Sequence, residues 1–150
     1  MKRWLSIALV LVMAAGGAFW LLRSDGTLLK PDDVAVTEHG AEVYAEACAS
    51  YHGDALQGQP NWREPLPNGR LPAPPHDETG HTWHHPDADL FAITKYGTEA
   101  LVGGDYKSDM PGYAKILSDD DIVAVLSFIK ASWPAEIRAR HDEVNERGSH

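Results

Sequence analysis

Three side chains could do metal or covalent chemistry together: the Cys48 thiol, the His52 imidazole and the Met110 thioether. The first two lie in Cys48-Ala-Ser-Tyr51-His52; the third follows 58 residues after His52, in Met110-Pro111-Gly112-Tyr113. As thiolate, imidazole and thioether they form a soft donor set suited to copper(I). The pentapeptide is also one residue away from the C-x-x-C-H run, in which two thiols flank a porphyrin and the histidine lies beneath its iron. Tyr51 stands where the second thiol would be. A thioether requires sulfur, and a phenol cannot add to a vinyl in its place. One covalent link through Cys48 remains open to such a chain, as does a haem held by its ligands alone.

His76, His81, His84 and His85 form a second cluster. Their spacing could hold a transition metal; hydrogen bonding to backbone groups explains them more simply, because ligand spacing on an irregular loop is poorly constrained. No paired carboxylate, nucleophile triad or phosphate loop appears elsewhere, so catalysis is not indicated.

The elements that must carry these residues are helical. From Thr37, Gly40, Val43, Tyr44, Ala47 and Cys48 recur at intervals of three and four, one face of a helix ending near Tyr51 or Gly53. Gly40 on that face would let another helix approach closely. Residues 57–86 hold seven of the ten prolines and have no helical or alternating period, which predicts a long irregular loop. Trp62, Leu66, Leu71 and Trp83 within it favour order. A second helix is expected from Pro86 through Leu90, Phe91, Ile93 and Thr94 to Tyr96, stopped by Gly97. Ser118 and Asp121 make an acidic capping box for a final helix striped by Ile122, Val125, Leu126 and Ile129. Pro134 interrupts it after Trp133, and the charged tail that follows is either a helical extension or frayed. No strand is indicated.

Lys2 and Arg3 precede an uncharged, mostly apolar run of 19 residues, Trp4 to Leu22. That is long enough to cross a bilayer, and the run continues past its small residues, which favours an uncleaved anchor over a cleaved signal. The basic start keeps the N-terminus in the cytoplasm and exports the rest. Four segments follow: anchor or signal 1–23, tether 24–36, one domain 37–133 and a charged tail 134–150. From Pro31 onward Leu, Ile, Val and Phe number 21, about 18 per cent, and 9 Lys plus Arg face 21 Asp plus Glu, a net charge of −12. So few apolar residues in so charged a chain call for extra core material. An intrachain disulfide cannot supply it, since Cys48 is the only cysteine; a large bound cofactor can. The negative charge excludes nucleic acid as a partner and suits a basic protein or simple solubility.

Residues 37–133 resemble the class I cytochrome c family: the helix with Gly40 and Tyr44, the near-motif Cys48 to His52, Met110-Pro111 ahead of the last helix, and that helix with Leu126 and Phe128. Leu71 to Pro86 is similar to the loop of small exported bacterial members. The resemblance implies an all-α cytochrome c-like domain of three or more helices with long irregular loops. It implies one haem c, with Cys48 as covalent anchor, His52 as proximal and Met110 as distal iron ligand. It also implies the Gly40–Tyr44 face crossing the terminal helix near Leu126 and Phe128. The function implied is electron transfer at the outer face of the inner membrane, or in the periplasm if the leader is cleaved. Basic patches on redox proteins would be its docking partners. The alternatives are a haem-free domain binding copper through Cys48, His52 and Met110, and a degenerate domain kept for protein contacts.

Overall fold

The first helix begins where a carboxylate can hold its open end. Asp33 accepts a hydrogen bond from the Val36 N–H at 3.2 Å, and α1 runs Val34–Ala47. In the computed structural model, which describes residues 27–148, this start is three residues ahead of the expected Thr37. The Thr37 hydroxyl donates back to Asp33 O and Val34 O at 3.1 Å, inside the first turn. The apolar run 4–22 lies outside the described residues. Among these, no helix is long and apolar enough to cross a membrane.

At Cys48 the backbone widens (φ −119°, ψ −37°), and a short α2, Ala49–His52, follows. The expected single helix to Tyr51 or Gly53 is therefore two helices joined at the cysteine. The proline-rich stretch carries only a 3₁₀ turn, Thr82–His84. Then come α3 (Asp87–Tyr96), α4 (Thr98–Val102), α5 (Asp119–Ser132) and α6 (Ala135–Gly148). Six α-helices and no strand make up the described residues. α4, five residues between Gly97 (φ +85°) and Gly103 (φ +70°), is too short to show a period and was not expected.

The core lies where α1 crosses α5. A Cβ on Gly40 would sit 2.1 Å from Ala124 O and 2.9 Å from Phe128 Cβ, so the glycine is what lets the two backbones touch. Tyr44 packs on Phe128 with ring centroids 5.5 Å apart. Val43, Ile122, Val125, Leu126, Ile129 and Trp133 complete the buried seam. The Ser118–Asp121 capping box is present in both directions; the Ser118 hydroxyl, helped by His39, draws the Asp121 carboxyl down to about 2.

Beyond Pro134 the charged tail is a helix. Its Ile137 and His141 are buried, and its polar groups clamp the start of the described chain. The Asp87 carboxylate accepts from Leu29 N–H at 3.1 Å and from Asn145 Nδ2 at 3.0 Å, while Asp87 N–H donates to Asn145 Oδ1 at 2.7 Å. Lys30 N–H donates to Ser127 Oγ at 2.9 Å, and Arg138 pairs with Asp32 at 2.6 Å. Leu29 is consequently 2 % exposed. From residue 29 onward the stretch expected to be a tether is part of the packed unit.

Candidate functional site

His52 ends α2 and is 4 % exposed. Its Nδ1 lies 2.9 Å from Pro74 O; a carbonyl only accepts, so Nδ1 carries the proton and the lone pair of the neutral ring is on Nε2. Burial pushes the imidazole pKa below its ordinary value, against the pull of the Pro74 hydrogen bond, so the ring is neutral at pH 7. Only one side-chain nitrogen or oxygen among the described residues is enclosed without a hydrogen bond, and it is His141 Nδ1. His52 Nε2 is therefore not sealed in. A neutral histidine held in one orientation, with its Nε2 not hydrogen-bonded within the protein, has the form a metal ligand takes.

The helical turn brings Cys48 to His52: the His52 N–H donates to Cys48 O at 2.9 Å. The thiol is half-buried, and burial pushes its pKa up to about 11. It is a thiol at neutral pH, without the thiolate character a soft metal would use. Tyr51 sets its ring edge-on to His52 (centroids 5.2 Å, planes 85°) and donates from its hydroxyl to Leu71 O at 3.4 Å. Burial, then the charge of Asp109, holds this phenol protonated above its usual range. The residue at the second thiol position thus packs on the histidine and ties down the proline-rich loop.

Met110 comes from a different part of the chain, and its segment is anchored from both sides. Tyr113 Oη donates to Ala47 O at 2.8 Å, just ahead of Cys48. Arg70, beside the Leu71 that Tyr51 holds, forms an ion pair with Asp109. The Met110 N–H donates to Ser108 Oγ at 3.1 Å, Ser108 N–H donates to Glu99 Oε1 at 2.8 Å, and the Thr98 hydroxyl lies 3.9 Å from Met110 Sδ. Gly97 and Gly112 let Tyr96–Gly97 and Pro111–Gly112 run backbone to backbone, a Cβ on Gly112 meeting Tyr96 O at 2.5 Å. A recess of about 420 Å³ opens along Arg70, Tyr96, Glu99 and Met110. A larger one, about 610 Å³, lies on the far chemistry of α6, between Lys30, Lys130 and Asp142, and includes none of Cys48, His52 and Met110.

In the second histidine cluster only His81 and His85 touch, edge to face (5.4 Å, 67°); the other ring contacts are with different partners. His81 stacks on Trp62 (5.4 Å, 8°), His84 on Trp83 (3.7 Å, 27°), and the His85 carbonyl accepts from His141 Nε2 at 3.0 Å. His76 points elsewhere, onto His52 (4.0 Å, 26°). Among the described residues no group of three or more His, Cys, Asp or Glu side chains is gathered as a metal site.

The positioning groups that sequence reasoning missed are mostly main chain. Pro74 O, Leu71 O and Ala47 O have no residue-type signature; Tyr113, three residues after Met110, was visible but its partner was not. The family model described as Cytochrome c matches residues 37–133, which is the stretch running from within α1 through α5 and holding Cys48, His52 and Met110. No curated protein and no solved structure matches the chain. With its all-α fold built around the α1–α5 crossing, the chain belongs to the cytochrome c family.

Proposed function

We propose that this domain is an electron carrier whose single haem is ligated by His52 and Met110 and joined to the chain through Cys48 alone. Membership of the family makes c-type haem the cofactor, one per chain, and electron transfer rather than catalysis is the family's general role. The observation that carries the residue assignment is His52: its Nδ1–H is fixed on Pro74 O while Nε2 stays accessible.

The residues present fit the group. Haem bound between a histidine and a methionine supplies a one-electron iron couple of raised potential, closed to substrate. His52 presents a neutral nitrogen in one orientation, and the backbone contact at Pro74 keeps its proton on the far side of the ring. Met110 presents a thioether from a segment braced by Tyr113, Ser108 and Arg70. Cys48 keeps its proton until it reacts, because burial disfavours the thiolate. Tyr51 supplies no second link; its ring shields His52 and its hydroxyl closes the loop over it.

Domains of this family are usually exported, and the apolar run 4–22 supports an anchor that leaves the domain facing the periplasm. The surplus of carboxylates suits redox partners with basic docking patches.

A pyridine haemochrome spectrum combined with denaturing mass measurement tests the proposal. Expression with haem maturation factors is expected to give one haem per chain, a shifted alpha band and the haem mass retained on denaturation. Haem lost on denaturation overturns the Cys48 link and leaves ligation alone. Copper without iron overturns the haem reading in favour of a copper site at Cys48, His52 and Met110, which the protonated thiol disfavours.

A further inference from the structure

One histidine of the second cluster has left its neighbours. The His76 ring lies on the His52 ring, with centroids 4.0 Å apart and planes at 26°. It is gripped at three points. His76 N–H donates to Leu56 O at 2.7 Å, and its carbonyl accepts from Trp133 Nε1 at 2.7 Å. Its Nδ1 is 2.8 Å from the Thr82 hydroxyl, which in turn lies 3.5 Å from Pro75 O. Leu56, Thr82 and Trp133 are all buried, so none of these partners can drift without opening the core.

His52 needs such a neighbour. The ring's one hydrogen bond, to Pro74 O, fixes where Nδ1 points but leaves the ring able to tip about the line joining Nδ1 to that oxygen. A flat surface against the face removes that freedom. An aliphatic side chain would fill the same volume without defining a plane. A planar ring with a polar edge can be locked by Thr82 and so passes a fixed orientation to the ring it covers.

We propose that His76 is a positioning residue: its ring sets the plane in which the His52 imidazole presents Nε2. The inference rests on His52 being the iron ligand.

The test uses the full haem-loaded protein and three variants. His76→Leu keeps volume without a plane, His76→Phe keeps a plane without the polar edge, and Thr82→Val removes the edge's partner. Proton NMR of the reduced protein reads solvent exchange at His52 Nδ1–H, and electron paramagnetic resonance of the oxidised protein reads the g-anisotropy set by ligand orientation. His76→Leu is expected to speed the exchange roughly two- to tenfold, the size of one lost ring contact, and to shift the g-values. His76→Phe and Thr82→Val each keep a plane and lose its lock, so both should fall between wild type and His76→Leu. Unchanged g-values and exchange in His76→Leu, or a Phe variant displaced as far as the Leu variant, would overturn the proposal. If His76→Leu does not fold, the Phe and Thr82→Val pair carries the same comparison. Failure of the ligand assignment itself is seen separately, as a His52→Ala protein that keeps the wild-type haem spectrum.

Discussion

His52 and His141 are built from the same parts and end in opposite states. Each is a buried imidazole that donates one N–H to a backbone carbonyl, Pro74 O for His52 and His85 O for His141. Burial lowers the pKa of both. The second nitrogen separates them. His141 Nδ1 is sealed in without a partner, beside Trp133 (5.1 Å, 77°) and with Asp87 Oδ1 3.5 Å from its other nitrogen. His52 Nε2 is accessible. The contrast extends to the surroundings: α6 closes over its histidine with Asn145, Asp87 and the Lys130–Asp142 pair at 2.6 Å, whereas the loops around His52 and Met110 are pinned at a few main-chain points. A latch must be complete in the protein itself; a cofactor pocket must be left incomplete by it.

The largest effect that would break this contrast is on haem. His52→Ala is expected to abolish the Soret band of the purified protein, while His141→Gln should leave its intensity unchanged. A spectrum lost in both variants would mean that the latch, too, is part of the cofactor site.

Gly40→Val tests what the two regions share. The new Cβ would meet Ala124 O and Phe128 Cβ inside van der Waals contact, and both elements are packed too firmly to yield. Thermal or urea unfolding should show a loss of about 3 kcal/mol, the upper end for an overpacked core, with haem content falling alongside.

Asp87→Ala should separate the regions. It strips the Leu29 N–H of its acceptor and removes the carboxylate half of the pair with Asn145, leaving the backbone half in place. Unsatisfied buried groups cost about 1–3 kcal/mol, so an unfolding free energy in urea lowered by that much, with an unaltered haem spectrum, is expected.

These two regions were also unequally legible. Around α1 and α5, apolar spacing and Gly40 announced a helix crossing, because helical period and close approach leave marks in residue type. Cys48, His52 and Met110 were legible as donors for the same reason. What holds them was not: Pro74 O and Leu71 O are atoms every residue has, and only the folded loop brings them to a particular side chain. The latch was hidden more thoroughly. Most residues of α6 are charged or polar, so His141 and Asn145 read as tail, and Leu29 read as tether until Asp87, 58 residues away, accepted its N–H. His76 was visible as one of four histidines whose spacing could hold a metal but which hydrogen bonding explained more simply; its ring contact with His52 had no mark in the sequence.

The finest test of the comparison is pH. Burial and the nearby Lys130 depress the His141 pKa in the folded protein, against the pull of Asp87, the His85 carbonyl and Asp142. The unfolded chain therefore takes up a proton near pH 6.5 that the folded latch does not. Stability should be fully present above the unfolded value and fall as pH drops below it, by less than about 1 kcal/mol at pH 6 for one such group. The sealed Nδ1 explains the direction: a proton there would be buried without an acceptor. Unfolding free energies of the haem-loaded protein at pH 7.5 and pH 6.0 measure the slope, and His141→Gln should flatten the part due to the latch. The depressed His52 pKa is common to wild type and variant, so its contribution cancels between them. A variant slope as steep as the wild type would show that the latch opens without regard to His141, and the distinction between a sealed and an open histidine would lose its energetic content.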